Sequence, residues 1–322
     1  MGAENNVMNR YLSDKRRFAD LINVVYYEGR QVIDPNDLTE ISGTTYEVLV
    51  RTWKGKRPKR QERRNDIAMR YADRKVFRIY LTENQEYVNY ILPIRDIEYL
   101  SAGYMKQLGQ IRKRHEEAND LNSFAEWASG VSKTDRLKPI YLMWLYHGEA
   151  AWDGPRTLKD MMEFGEEGEA KSGFLDYTPR LVCVNEMDGY DSYRTELKEL
   201  FQILGCRDDR KEMKKLFEAD ERFQHLDADT MEAASVLMHA PSIWKNRKKY
   251  MNRIAEKEEY NMCQALREWE AEIREEFAEE MEATKAELEK ERKEKEEAQK
   301  EACAYLKLLK EHGIDPDSKQ KL

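Results

Sequence analysis

The chain has 322 residues, 40% apolar and 37% charged, with a formal net charge of -8. That length allows one large domain or two ordinary ones, and no stretch approaches the roughly 20 apolar residues of a membrane-spanning helix, which argues against a helical membrane protein. Residues 256–322 hold 21 acidic and 13 basic side chains, so the first 255 are neutral overall and the acidity belongs to the tail.

Residues 9–27 carry Leu12, Phe18, Leu21, Ile22 and Val25 at helical spacing, up to a break at Gly29 and Pro35. The opening MGAENNVMNRYL lacks the apolar run of a signal peptide, and Asn6 stands where a myristoylation signal needs Ser or Thr. Residues 45–53, TYEVLVRTW, read as a strand. The next eleven, KGKRPKRQERR, hold seven basic side chains and read as an exposed loop. Strands are predicted over 64–71 and 75–85, with a turn of about three residues that makes them an antiparallel hairpin.

Pro93 opens a helix predicted over 93–116, with Ile94, Ile97, Leu100, Tyr104, Leu108 and Ile111 as its apolar face. Residues 138–147, KPIYLMWLYH, form a nearly continuous apolar run, the pattern of a strand buried on both faces. Short helices follow near 156–165, then a strand near 180–185 and a mostly helical stretch over 191–250. Residues 256–312 contain no Gly or Pro and are dense in Glu, Lys and Ala, so one long helix is expected, with a partial heptad seam broken at Glu291 and Lys295. The domain reading is a core over 1–175, its helical extension over 176–255, the charged helix over 256–313 and a disordered tail over 314–322. Cys183, Cys206, Cys263 and Cys303 are far apart, without metal-ligand or redox spacing, which suits a reduced, cytoplasmic protein.

One strand carries an anomaly. Continuing the period of the third strand places Glu83 and Gln85 on the face of Phe77, Ile79 and Leu81. Asp66 opens the preceding strand, and a hairpin brings it close to Glu83. Two carboxylates beside an amide, with a basic loop just upstream, suit cation-assisted phosphodiester hydrolysis. The carboxylates would hold a hard divalent cation, and the loop would contact the DNA backbone. Tyr104 and Trp152 are read as core residues. His147 is read as a packing or hydrogen-bonding group at the strand exit rather than a base.

The segments RRNDIAMRY (63–71), IYLTENQEYVNYILPIRDIEYL (79–100), PIYLMWLYHGEAAWDGP (139–155) and RFADLINVVYYEGRQVIDPNDL (17–38) resemble, in order and spacing, the PD-(D/E)XK nuclease-family transposases, also called Rpn-type recombination-promoting nucleases or YhgA-like putative transposases. The resemblance covers residues 10–160 and implies an α/β, restriction-endonuclease-like core, a mixed sheet flanked by helices. It implies a DNA endonuclease using Mg²⁺, or another divalent cation such as Mn²⁺ or Ca²⁺, in recombination or mobile-element movement. Asp66 matches the motif aspartate, Glu83 the second acidic position, and Gln85 the place of the motif lysine. An acidic residue on the first helix, Asp14 or Asp20, would contribute. DNA contacts are expected from Lys56, Arg57, Lys59, Arg60, Arg63, Arg64, Arg95 and Gln107, with Arg95 equally placed to neutralise one of the carboxylates, and a homodimer through the C-terminal helix. Glutamine cannot supply the charge or proton of a lysine. A nuclease fold that binds DNA without cutting it, or a coiled-coil interaction protein, are therefore the alternative readings.

Overall fold

The computed structural model describes residues 3–40, 46–50, 59–63, 67–72, 75–82, 90–165, 173–254 and 257–312, with the backbone alone for 3–5, 46–50, 59–63, 75–82, 253–254 and 257. It divides into two units, 1–263 and 264–322.

The first unit opens with α1 (Ala3–Leu12) and α2 (Lys15–Tyr27). The sequence predicts one helix here, and the break has a local cause. The Asp14 carboxylate accepts from the backbone N–H of Arg16 at 2.7 Å and of Arg17 at 3.3 Å, which makes it an N-cap and starts a new helix. Short β1 (Leu38–Glu40) follows, then β2 (Tyr46–Val50) and β3 (Lys59–Arg63). β3 corrects the basic-loop expectation. Its residues pair antiparallel with β2 from Tyr46↔Arg63 to Val50↔Lys59 in a separate two-stranded sheet. Such a strand is an edge on its far side, where charged side chains are well tolerated.

β4 (Ile67–Tyr71) and β5 (Lys75–Thr82) form the expected antiparallel hairpin, in register from Tyr71↔Lys75 to Ile67↔Ile79. The crossover helix α3 (Leu92–Ala118) and short α4 (Phe124–Ser129) lead to β6 (Ile140–Tyr146), which runs parallel to β5. A parallel neighbour needs such a crossover, because a tight turn reverses the chain. β7 (Leu181–Cys183) pairs parallel to β6 and completes a five-stranded sheet of order β1-β4-β5-β6-β7. Between them, the helices expected near 156–165 reduce to one 3₁₀ turn at Lys159–Met161. There the Asp160 carboxylate binds the N–H groups of Arg156 and Thr157, each at 2.8 Å, and satisfies the donors locally.

β6 is buried on both faces, as its apolar run predicts. Leu142, Trp144 and Tyr146 form a core cluster with Leu92, Tyr99 and Trp152. On the other face Tyr141 meets Tyr26 of α2 edge-on at 5.3 Å. The fold is thus mixed α/β, with a central sheet that has helices against both faces. The rest of the unit is helical: α5 (Leu197–Cys206), α6 (Arg210–Ala219), α7 (Ala228–Leu237) and α8 (Pro241–Lys245). Buried Arg17 ties α2 to this region through Asp227 at 3.1 Å and Asp229 at 3.2 Å. A small hairpin follows, β8 (Met251–Ile254) with β9 (Lys257–Tyr260), and β9 takes residues the sequence reading assigned to the long helix. That helix is α9 (Met262–Glu311). No helix among the described residues is long and apolar enough to cross a membrane.

Candidate functional site

Register relates three strand ends of the main sheet. β5 and β6 are parallel and finish together, with Thr82 beside Tyr146. β4 is antiparallel and begins short of that end, with Ile67 beside Ile79, three residues before β5 finishes at Thr82; the expectation that the hairpin sets Asp66 close to Glu83 is therefore displaced by about three residues along the strand. Asp66 precedes Ile67 in the chain, Glu83 follows Thr82 and His147 follows Tyr146. Asp66, Glu83 and Gln85 themselves lie outside the described residues, as do Lys56, Arg57 and Arg64. Lys59, Arg60 and Arg63 lie on β3.

The described surroundings of this sheet end are tightly bonded. The Tyr90 hydroxyl donates to Asp153 at 3.0 Å, which joins the start of α3 to the loop after β6. Trp152 is buried in that loop, meets Tyr146 edge-on at 5.2 Å and donates Nε1–H to the Gly154 carbonyl at 2.8 Å. It covers the core, as expected. His147 is 1% exposed, and burial, reinforced by nearby Arg207, pushes its pKa down to about 4. It is a neutral, enclosed ring at neutral pH, which fits packing at the strand exit.

The first turns of α3 hold the most distinctive group that the sequence reading missed. Asp96 is fully buried. It accepts from Trp144 Nε1–H at 2.7 Å and from the Tyr177 hydroxyl. Burial raises its pKa, and these two neutral donors pull only part of the way back. The predicted apolar face of α3 is correspondingly displaced: Leu92, Asp96, Tyr99 and Gly103 are buried, whereas Ile94 is 43% exposed. The signal that could have found Asp96 is Trp144 itself, because an indole N–H on a fully buried strand needs an acceptor.

Arg95 lies over this cluster, its guanidinium 5.3 Å from the Trp144 ring and its Nη2 donating to the Tyr99 hydroxyl at 2.8 Å. Its buried Nε has no partner among the described residues. Gln107 bonds protein backbone at both ends of its amide: Oε1 accepts from Lys138 N–H at 2.7 Å and Nε2 donates to Lys138 O at 2.9 Å. Tyr104 packs against the core, as expected, and accepts from Ile140 N–H at 3.3 Å.

The two acidic candidates on the first helix are both engaged by protein donors, Asp14 as the N-cap of α2 and Asp20 by a distant loop. Burial works to raise the pKa of Asp14, but its backbone donors and Arg16 leave it lowered. Asp20 is buried, and its Oδ2 accepts from Arg194 N–H, Thr195 N–H and Thr195 Oγ1 at 2.8, 2.8 and 2.7 Å. Its Oδ1 has no partner among the described residues.

A cleft of about 460 Å³ opens beside the start of β6, lined by Tyr26, Ile140, Tyr141, Tyr177 and Arg180 among others. It lies at the opposite end of β6 from Tyr146. A second cleft of about 510 Å³ lies in the helical region, between Tyr193–Glu196 and Glu221–Leu226. Among the described residues no group of three or more His, Cys, Asp or Glu side chains is placed to hold a metal ion. Compared with known protein families, with curated proteins and with solved structures, the chain gives no match in any of the three.

Proposed function

We propose that the chain is a divalent-cation-dependent DNA endonuclease with a restriction-endonuclease-like core. The observation that carries this reading is the convergence near one sheet end. β4 begins beside Ile79, three residues before β5 ends at Thr82, and Asp66 and Glu83 are the chain neighbours of those two strand ends. A hairpin, a crossover helix and a buried parallel strand are also the order that the four motifs imply.

In this reading Asp66 and Glu83 hold Mg²⁺, Mn²⁺ or Ca²⁺. Two carboxylates at a strand end are hard oxygen donors, and their chemistry fits such an ion. When bound, the cation offsets charge on the attacked phosphate and lowers the pKa of water. Gln85 orients the attacking water by hydrogen bonds and takes no proton. The basic residues from Lys56 to Arg64 follow the phosphate backbone, a salt-dependent contact without sequence preference. Arg95, at the start of α3, is a further positive charge near this end of the sheet.

The test is supercoiled plasmid incubated with purified protein in Mg²⁺ or EDTA, beside Asp66→Ala and Glu83→Ala. Nicking in Mg²⁺ alone, lost by about 10²-fold or more in both variants, is expected of carboxylates that hold the cation. Wild-type rates in both variants would overturn the assignment. One residue supports a second reading: Gln85 lacks the charge of the motif lysine, as in a nuclease fold that binds DNA without cutting. In that case the protein shifts DNA in EDTA and leaves the plasmid intact in Mg²⁺.

A further inference from the structure

The second unit carries an unpartnered face. Along α9, Phe277 is 65% exposed, Met281 48%, Leu288 62% and Tyr305 71%. These residues lie on one seam. From 277 onward its positions advance by alternating steps of four and three, through 281, 284, 288, 291, 295, 298, 302, 305 and 309, which is heptad spacing. The two middle positions are Glu291 and Lys295, where a seam normally needs apolar groups.

We infer that α9 pairs with a second copy of itself in antiparallel orientation, centred on Lys293. Reversing the seam about that residue sets Glu291 opposite Lys295 of the second copy, and Lys295 opposite its Glu291. The charged break then becomes two ion pairs at the centre of the dimer. The outward layers match by size as well. Leu288 meets Ala298, Thr284 meets Ala302, Met281 meets Tyr305 and Phe277 meets Leu309, so each large side chain lies opposite a smaller or flexible one. The contact runs for about 48 Å at 1.5 Å per residue.

A parallel, in-register pair does the reverse. Glu291 meets Glu291 and Lys295 meets Lys295, and like charges on a seam are not compensated. Ala298 and Ala302 face their own copies and leave gaps, whereas Tyr305 crowds Tyr305. Segment charge agrees. Residues 275–283 carry five Glu and no basic residue. A parallel pair sets two such segments side by side, whereas the antiparallel pair sets each beside Lys307, Lys310 and Glu311. The flanking positions pull the other way, because Glu287 lies near the second copy's Glu301 and Glu294 near its Glu294. Those groups remain in water, where screening makes each contact weak, so the seam layers decide. This inference does not depend on the nuclease reading.

The experiment uses the full chain with exposed Cys303 changed to Ser, carrying either Leu288→Cys or Ala298→Cys. Each is oxidised alone and as an equal mixture, and the products are mapped by mass spectrometry beside sedimentation of the unmodified protein. A dimer in sedimentation and a 288–298 disulfide confined to the mixture are expected. A dominant 298–298 disulfide in the Ala298→Cys protein alone would establish the parallel pair and overturn the proposal. A monomer at tens of micromolar would overturn it equally.

Discussion

Replacing Asp96 separates the role of its shape from that of its charge. The carboxylate is fully buried and accepts from two neutral donors, Trp144 Nε1–H and the Tyr177 hydroxyl. Asp96→Ala leaves both without an acceptor, and each orphaned buried donor costs about 1–3 kcal/mol. Relief of the buried charge offsets part of that, so a net loss of about 2–5 kcal/mol is expected. Asp96→Asn keeps the shape. Its Oδ1 accepts from Trp144, and its Nδ2–H₂ donates to the Tyr177 oxygen, which can accept as well as donate. The loss there should stay below about 1 kcal/mol, the scale of one exchanged hydrogen bond. The pH dependence follows from the direction of the shift. Burial raises the folded pKa, so the contribution of Asp96 is full below the unfolded value and is lost as pH rises through the raised folded one. Asparagine does not titrate, so that loss disappears in Asp96→Asn. Urea unfolding followed by tryptophan fluorescence from pH 4 to 8 measures all three proteins. Equal destabilisation of the Asn and Ala variants at pH 7 would refute the reasoning, since it would mean that the ionised carboxylate itself is required.

Two further predictions concern the approach to β6. His115 lies between Asp120 and Asp135, at 2.5 and 2.7 Å, with Arg114 sharing Asp135. The Asp120 and Asp135 bonds raise its pKa, so its clamp on this loop is complete below the unfolded value and is released as pH rises through the folded one. An NMR titration of the ring should give a midpoint above about 6.5, moved down by Asp135→Asn; a midpoint at or below 6.5 in the wild-type protein contradicts the geometry. Gln107→Ala removes both bonds to the Lys138 backbone and should cost about 1–3 kcal/mol in urea unfolding, at about 1 kcal/mol per net bond. If the amide acts only through that backbone, the salt dependence of DNA binding stays unchanged, and a flattened slope would instead assign Gln107 a role at the phosphates.

The legible parts of the fold are those where one periodicity runs uncontested. The hairpin of β4 and β5, the crossover α3 and the doubly buried β6 follow from alternation, proline placement and an apolar run. β3 was not legible, because seven basic residues in eleven outweigh any strand signal, and only its pairing with β2 defines it. The break between α1 and α2 was hidden by apolar residues that continue in phase across it. Ser13-Asp14 was the available clue, a capping pair inside a helical pattern. β9 was concealed in the same way by the helix-rich composition around it, and its partners are β8 and Leu226.

The site divides along a physical line. Glu83 and Gln85 could be noticed because a strand alternates strictly, so a polar residue on an apolar face is conspicuous at once. Asp96 lies on a helix, where the face has a free phase. Ile94, Ile97 and Leu100 offered one consistent stripe, and a carboxylate beside that stripe drew no notice. The buried face is instead the one through Leu92, Asp96 and Tyr99, set by what β6 presents to it. Trp144 demands an acceptor, and the helix turns to supply one. A polar group can therefore lie in a core for either of two reasons. Asp96 is bonded from both sides and answers a donor inside the sheet, so its chemistry is exhausted by the fold. Asp66 and Glu83 lie outside the described residues, next in the chain to Ile67 and Thr82. Under the proposed nuclease reading a cation from outside is the reason for them, so their loss should abolish cleavage while leaving the sheet intact.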